Sequence, residues 1–166
     1  MTSQLKTSFA AIALFVGMAH AQNVNVAVSD SWARATVQGQ KATGAFMKLT
    51  AKDGAKLVGV SSPVAGVAQI HEMKMDKDMM KMSAIASLNL PAGQAVELKP
   101  GGYHVMLMDL KQALPKDSMV PVTLQFQDAK GNKSQLELKL PVLMQAPGTP
   151  AGGGMPAGHM HGDHKH

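Results

Sequence analysis

Two short motifs of the same form, His71-Glu72-Met73 and His104-Val105-Met106, each place an imidazole and a thioether two residues apart. Between them run Met75, Met79, Met80 and Met82, with ten residues separating His71 from Met82 and twenty-one separating Met82 from His104. On an extended strand, residues i and i+2 face the same way, roughly 6.5–7 Å apart along the backbone. A ring and a flexible thioether can close that gap on one ion. Thioethers are soft donors that select Cu(I), and imidazole suits copper as well. If the two strands lie together, His71, Met82, His104 and Met106 converge, with Met73 as a further candidate ligand. One such motif alone would read as packing, since methionine commonly fills gaps in cores. Two of them, each beside a turn and joined by a methionine-dense stretch, read as a soft-metal site.

A second group lies at the C-terminus, where Met155, His159, Met160, His161, His164 and His166 follow a Pro/Gly stretch. Histidine-rich tracts take Cu(II), Zn(II) or Ni(II), and with methionine and aspartate among them the tail is expected to capture Cu(II) or to offer a second Cu(I) site. Met160, Asp163 and Lys165 interrupt the histidines, unlike an expression tag. Met75, Met79 and Met80 read as transient ligands, as a surface for a partner, or as packing around the site. Catalytic constellations are missing: His71-Glu72 begins like H-E-x-x-H, but Met75 stands where the second histidine would be. A copper redox enzyme would need turnover that no residue here demands, so the chain reads as a binding protein rather than an enzyme.

Cysteine is absent. Disulfides, thiol redox chemistry and thiolate metal sites are thereby excluded, and so is a blue-copper site with its His₂Cys set. The net charge of +5 is spread out, with Lys74, Lys77 and Lys81 interleaved with Asp76 and Asp78. No basic stripe or row of stacking aromatics points to nucleic acid.

The first residues have the form of an export signal. Lys6 precedes the apolar run Phe9 to Met18, and Ala19-His20-Ala21 supplies an A-x-A cleavage pattern. The expected division is therefore a cleavable signal over 1–21, one domain over 22–144, and a disordered linker and Met/His-rich tail over 145–166. The apolar run is short of the about 20 residues a membrane span needs, so stable membrane insertion is not expected.

The elements that must position these donors are strands. Val24 to Val28 alternates, and Ser29-Asp30-Ser31 is expected to turn the chain into Trp32 to Thr36. Trp32 reads as a core anchor and Arg34 as a partner for a carboxylate. Gly44 to Thr50 and Lys56 to Ser61 flank Asp53-Gly54, a hairpin signal. Val67 to Met73 forms the next strand, with Val67, Gln69, His71 and Met73 on one face; Lys74 to Lys81 follows as a loop or a hairpin tip. A helix over Met73 to Ile85 lacks a 3.6-residue period. Ala95 to Leu98, Tyr103 to Leu110, Met119 to Phe126 and Ser134 to Val142 complete the set, with Pro121 placing its strand at an edge or near its start. Short strands punctuated by turns indicate an antiparallel sandwich or barrel.

The spacing His71, ten residues, Met82, twenty-one residues, His104-x-Met106 resembles the signature of the periplasmic Cu(A) copper chaperone family, the PCuAC type. Trp32-Ala33-Arg34, Ser61 to Gly66, Lys99 to His104 and Met106-Leu107-Met108 carry the resemblance over Val24 to Val142. It implies an all-β, cupredoxin-like Greek-key antiparallel β-sandwich without the cupredoxin's own copper site. It implies a monomeric periplasmic carrier with His71, Met82, His104 and Met106 as Cu(I) ligands. The implied partner is the Cu(A) subunit of cytochrome c oxidase or another copper chaperone. Sequestration for copper tolerance is the alternative. Phe46 departs from the family pattern, in which tyrosine is expected.

Overall fold

In the computed structural model, residues 25–148 are described; the signal, and the tail residues Met155, His159, Met160, His161, His164 and His166, lie outside them. Ten strands follow in order: β1 Val26–Arg34, β2 Ala42–Ala51, β3 Ala55–Ser61, β4 Ala65–Asp76, β5 Met79–Ile85, β6 Leu88–Leu90, β7 Ala95–Leu98, β8 His104–Leu110, β9 Met119–Gln127 and β10 Lys133–Leu143. They run β5-β4-β8-β2-β1-β10-β9-β3-β6, with β7 on β2. Every strand pairing is antiparallel except β1 beside β10, where Ala33 meets Val142 and Arg34 meets Leu143. This short parallel contact joins two ladders, one built on β2, β4 and β8 and the other on β3, β9 and β10.

Side-chain alternation brings the ladders into one core. Ala45, Met47 and Leu49 on β2 and Val105 and Leu107 on β8 are buried against Leu57, Val122, Leu124, Phe126 and Leu140 of the other ladder. Each of these side chains larger than alanine contributes roughly 1.5–3 kcal/mol by leaving water. The alternate residues of β2, β4 and β8 point away from this core, and that outer face carries the candidate donors.

Three local expectations change. Ser29-Asp30-Ser31 does not end a strand; it is an irregularity inside β1, between the Ser29–Lys48 and Trp32–Phe46 pairs, with Asp30 at φ 51. Such a bulge shifts the side-chain phase, so Trp32 faces outward with Phe46. Its indole is buried, but outside the main core cluster. Asp53-Gly54 does not close a hairpin either. β2 and β3 belong to different ladders, and the turn is a corner between them. Residues 74–81, expected as a loop or a hairpin tip, are the end of a hairpin and lie largely in strands: β4 and β5 pair from Ile70–Ile85 to Asp76–Met79 around Lys77-Asp78.

Pro121 sits third in β9, beyond the β3 ladder, whose last pair is Ser61–Thr123. Its missing N–H therefore faces no partner strand, and the Ser62 hydroxyl donates to its carbonyl at 2.6 Å.

Candidate metal centre

Register brings the two His-x-Met motifs together. His71 lies directly opposite His104, and Gln69 opposite Met106, in the β4–β8 ladder. Across β4 on its other side, Met73 lies opposite Met82. All five candidate residues in this part of the chain thus share one outward face. The imidazole centroids of His71 and His104 are 5.8 Å apart, edge to face. Met82 reaches across β4 so that its Sδ lies 3.2 Å from Nε2 of His104. Met73, Met82, His104 and Met106 line a common cavity of about 290 Å³ with Arg34, Phe46 and Gly101, and His71 flanks it beside His104.

A tight turn sets the His104 ring. Lys99-Pro100-Gly101-Gly102 closes with Gly102 N–H donating to the Lys99 carbonyl at 3.1 Å, and Gly101 adopts φ +82. Proline followed by a residue with positive φ is type II turn chemistry. The Gly102 carbonyl then accepts from Met73 N–H at 3.2 Å. It accepts again from Nδ1–H of His104 at 3.0 Å. With its proton on Nδ1, His104 presents a bare Nε2 lone pair to the sulfur of Met82. In the neutral ring neither atom carries a proton to donate, so the contact is then one between two electron-pair donors.

His71 is set in the complementary way. Its Nε2–H donates to Gln69 Oε1 at 3.0 Å, which leaves Nδ1 as the unprotonated nitrogen. That atom is buried and has no hydrogen-bond partner. Desolvation, reinforced by the charge of His104, lowers the pKa of His71 below its ordinary value and so disfavours its charged form. A hydrogen bond that fixes one ring nitrogen and frees the other is how metal-binding histidines are commonly held.

The sequence pointed to the donors but missed what orients them. Gln69 could have been found, since it stands two residues from His71 on the same face. The Gly102 carbonyl was recognisable only as part of a turn. Arg34 has no carboxylate partner among the described residues; its guanidinium lies 6.0 Å from the Trp32 ring and 5.7 Å from the Phe46 ring. Trp32 and Phe46 stack at 4.6 Å, and Phe46 lies 6.3 Å from His104, so an aromatic row leads from β1 to the candidate centre. Phe46 Cζ would lie 2.6 Å from a Cβ at Gly44, so only glycine leaves room for the ring.

The donors define the chemistry available. Among the described residues no group of three or more His, Cys, Asp or Glu could hold a metal ion, so a hard-metal cage of oxygens is not built here. What is built is a neutral set of two imidazoles and neighbouring thioethers, which suits a soft monovalent ion.

The fold is a cupredoxin-like β-sandwich of the PCuAC type. The LpqE-like family model, a lipoprotein family by its description, matches residues 26–142, and the chain belongs to that family. It is 34% identical over 115 residues to the protein named as lipoprotein Lxx21020 of Leifsonia xyli subsp. xyli, covering 69% of each. Among solved structures, the apo PCuAC domain from PmoF1 matches at TM-score 0.59 and 27% identity, covering 77% of this chain and 100% of that one. Apo-DR1885 from Deinococcus radiodurans matches at TM-score 0.56 and 28% identity, covering 87% and 96%. The CuI form of DR1885 matches at TM-score 0.51 and 24% identity, covering 78% and 83%. Among the described residues no helix is long and apolar enough to cross a membrane.

Proposed function

We propose that this protein is a copper chaperone that binds Cu(I) through His71, Met82, His104 and Met106, with Met73 adjacent, and delivers it to the Cu(A) site of cytochrome c oxidase. The observation that carries the reading is the lone-pair contact between His104 Nε2 and Met82 Sδ at 3.2 Å. Zinc bond lengths of roughly 2.0 Å to nitrogen and 2.3 Å to sulfur, used as a guide, put two donors on one ion about 3.2–3.5 Å apart. The unpartnered Nδ1 of His71 supports it, because a buried acceptor without a partner costs about 1–3 kcal/mol unless something occupies it. Copper forms of related domains support it: DR1885, 28% identical in its apo structure, is also described as CuI-DR1885.

Neutral ligands on an open face favour carriage over permanent retention. Thioethers leave without taking up a proton, so the ion passes to an acceptor by stepwise ligand exchange. The working location is the periplasm, reached through a cleavable signal over 1–21. The lipoprotein names of the family agree with export, although none of the 166 residues is a cysteine that could carry a thioether-linked lipid. The tail, with Met155, His159, Met160, His161, His164 and His166, is assigned to Cu(II) capture.

A Cu(I) competition titration of His104→Ala and Met82→Leu tests the centre. Each variant is expected to bind at least about a hundredfold more weakly, roughly 2.7 kcal/mol, with an unchanged fold. Unaltered affinity in both removes the assignment. Delivery is tested by deleting the gene: loss of oxidase activity that added copper restores supports it. Copper hypersensitivity with normal oxidase would favour sequestration instead.

A further inference from the structure

The β4–β5 hairpin carries thioethers beyond the candidate centre. Its turn residues Lys77 and Asp78 have φ 47 and 65, a two-residue left-handed turn that matches the twist of paired strands. Such a turn makes Asp76 and Met79 the hydrogen-bonded closing pair. By alternation, Met75–Met80 and Met73–Met82 are then non-hydrogen-bonded pairs. In those pairs side chains stand closest, with Cβ atoms roughly 4.5–5.5 Å apart. The strand period of two puts both methionine pairs on the face of His71, in file toward the His104–Met82 contact.

Packing does not account for the outer pair. Met75, on β4, is 66% exposed and Met80, on the end strand β5, is 50% exposed. The other side of the hairpin shows that its stability does not come easily. Lys74 faces Lys81 directly, an unfavourable like-charge pair. It is offset by Lys74–Glu72 at 2.9 Å and Lys81–Asp76 at 3.7 Å. Alternation therefore puts Met75 and Met80 in line with Met73 and Met82 on one face, and the ion-paired charges together with Met79 on the other.

We propose that Met75 and Met80 form a second soft-metal site, a thioether pair that holds a monovalent ion such as Cu(I) or Ag(I) in passage between the hairpin tip and the Met73–Met82 pair. The proposal rests on the copper reading of the centre. Successive rungs are roughly 7 Å apart, a gap that flexible methionines span from both sides. Transfer is ligand exchange: a bond from the ion to Met73 or Met82 forms as one to Met75 or Met80 breaks. The oxidation state stays the same and no proton moves. Two thioethers hold such an ion more weakly than a site that adds imidazole, so loading runs inward. An acceptor would meet the ion at the exposed tip.

The test uses the full chain with ¹³C-labelled methionine methyls, titrated with redox-inert Ag(I). The Met82 and Met106 methyls should shift first, then those of Met75 and Met80 together. A Met75→Leu, Met80→Leu double variant should keep Cu(I) affinity at the centre within about twofold and release Cu(I) to bicinchoninate about tenfold more slowly. Static Met75 and Met80 methyls beside shifting Met82 and Met106, or an unchanged release rate, overturn the proposal and leave the centre standing. Shifts at Met75 and Met80 without Met82 and Met106 support the pair and sink the centre. No shift at any of the four sinks both.

Discussion

Replacing His71 with leucine should separate the stability of the fold from the capacity to bind metal. In the metal-free protein, Nδ1 of His71 has lost water and gained no partner, a penalty of about 1–3 kcal/mol. The substitution also removes the Nε2–H bond to Gln69, which lies at an exposed position and is worth about 1 kcal/mol or less net. Leucine has a similar volume and keeps the backbone pairings to Ala84 and His104. The balance is a gain of about 1 kcal/mol, or roughly 3–5 °C in Tm for a domain of this size. Guanidinium unfolding in a copper chelator measures it, followed by the fluorescence of Trp32, the only tryptophan and a buried one. Saturating Cu(I) should invert the order. The wild type gains about 2.7 kcal/mol at a hundredfold excess over Kd, while the variant, short of one ligand, gains little. A metal-free variant less stable than wild type by more than about 1 kcal/mol would refute the reasoning, since Nδ1 would then be satisfied without metal.

Two further substitutions address what surrounds the centre. Gly44→Ala places a Cβ 2.6 Å from Phe46 Cζ and should cost about 1–3 kcal/mol by displacing that ring; Trp32 emission should shift, and adding Phe46→Leu should restore most of the stability. Asp128 accepts hydrogen bonds from the Asn132 side chain and from the backbone N–H of Asn132 and Lys130, and these bonds, the side-chain one foremost, lower its pKa below the ordinary value. Its stabilising contribution is therefore present above the unfolded pKa and lost as pH falls through the folded one. Asn132→Ala should raise the Asp128 midpoint in a ¹³C carboxyl titration and flatten the loss of stability on the acid side; an unmoved midpoint would refute the assignment.

The strands and the shared face of the donors were legible because period-two alternation is a local property. His71 and Met73, and His104 and Met106, had to face alike wherever their strands went. What the sequence could not supply was pairing. The Asp53-Gly54 signal describes a turn, and a turn closes a hairpin only if its flanking strands lie in one ladder; here they diverge into two. The bulge between Ser29 and Trp32 hid in a Ser-Asp-Ser run that looks like a turn. By shifting phase, it put Trp32 on the face of Phe46, still buried but outside the main core cluster. The stretch 74–81 looked like a loop because most of its residues are solvated. It is paired on one side only, at the end of the sheet, where burial leaves no pattern to read.

On the proposed copper reading, that same alternation explains why metal traffic need not disturb the fold. On β8, His104 and Met106 face outward while Val105 and Leu107, both at 0% exposure, face into the core. Ligand exchange on the outer face therefore rearranges side chains without opening the sandwich. The aromatic row is the exception. Phe46 is fixed between Gly44 and Trp32, and Arg34 rests over both rings. A disturbance there reaches His104 through ring contact while the core behind it stays packed. Variants along that row should change metal affinity and Trp32 emission together, whereas ligand variants at Met82 or Met106 should change affinity alone.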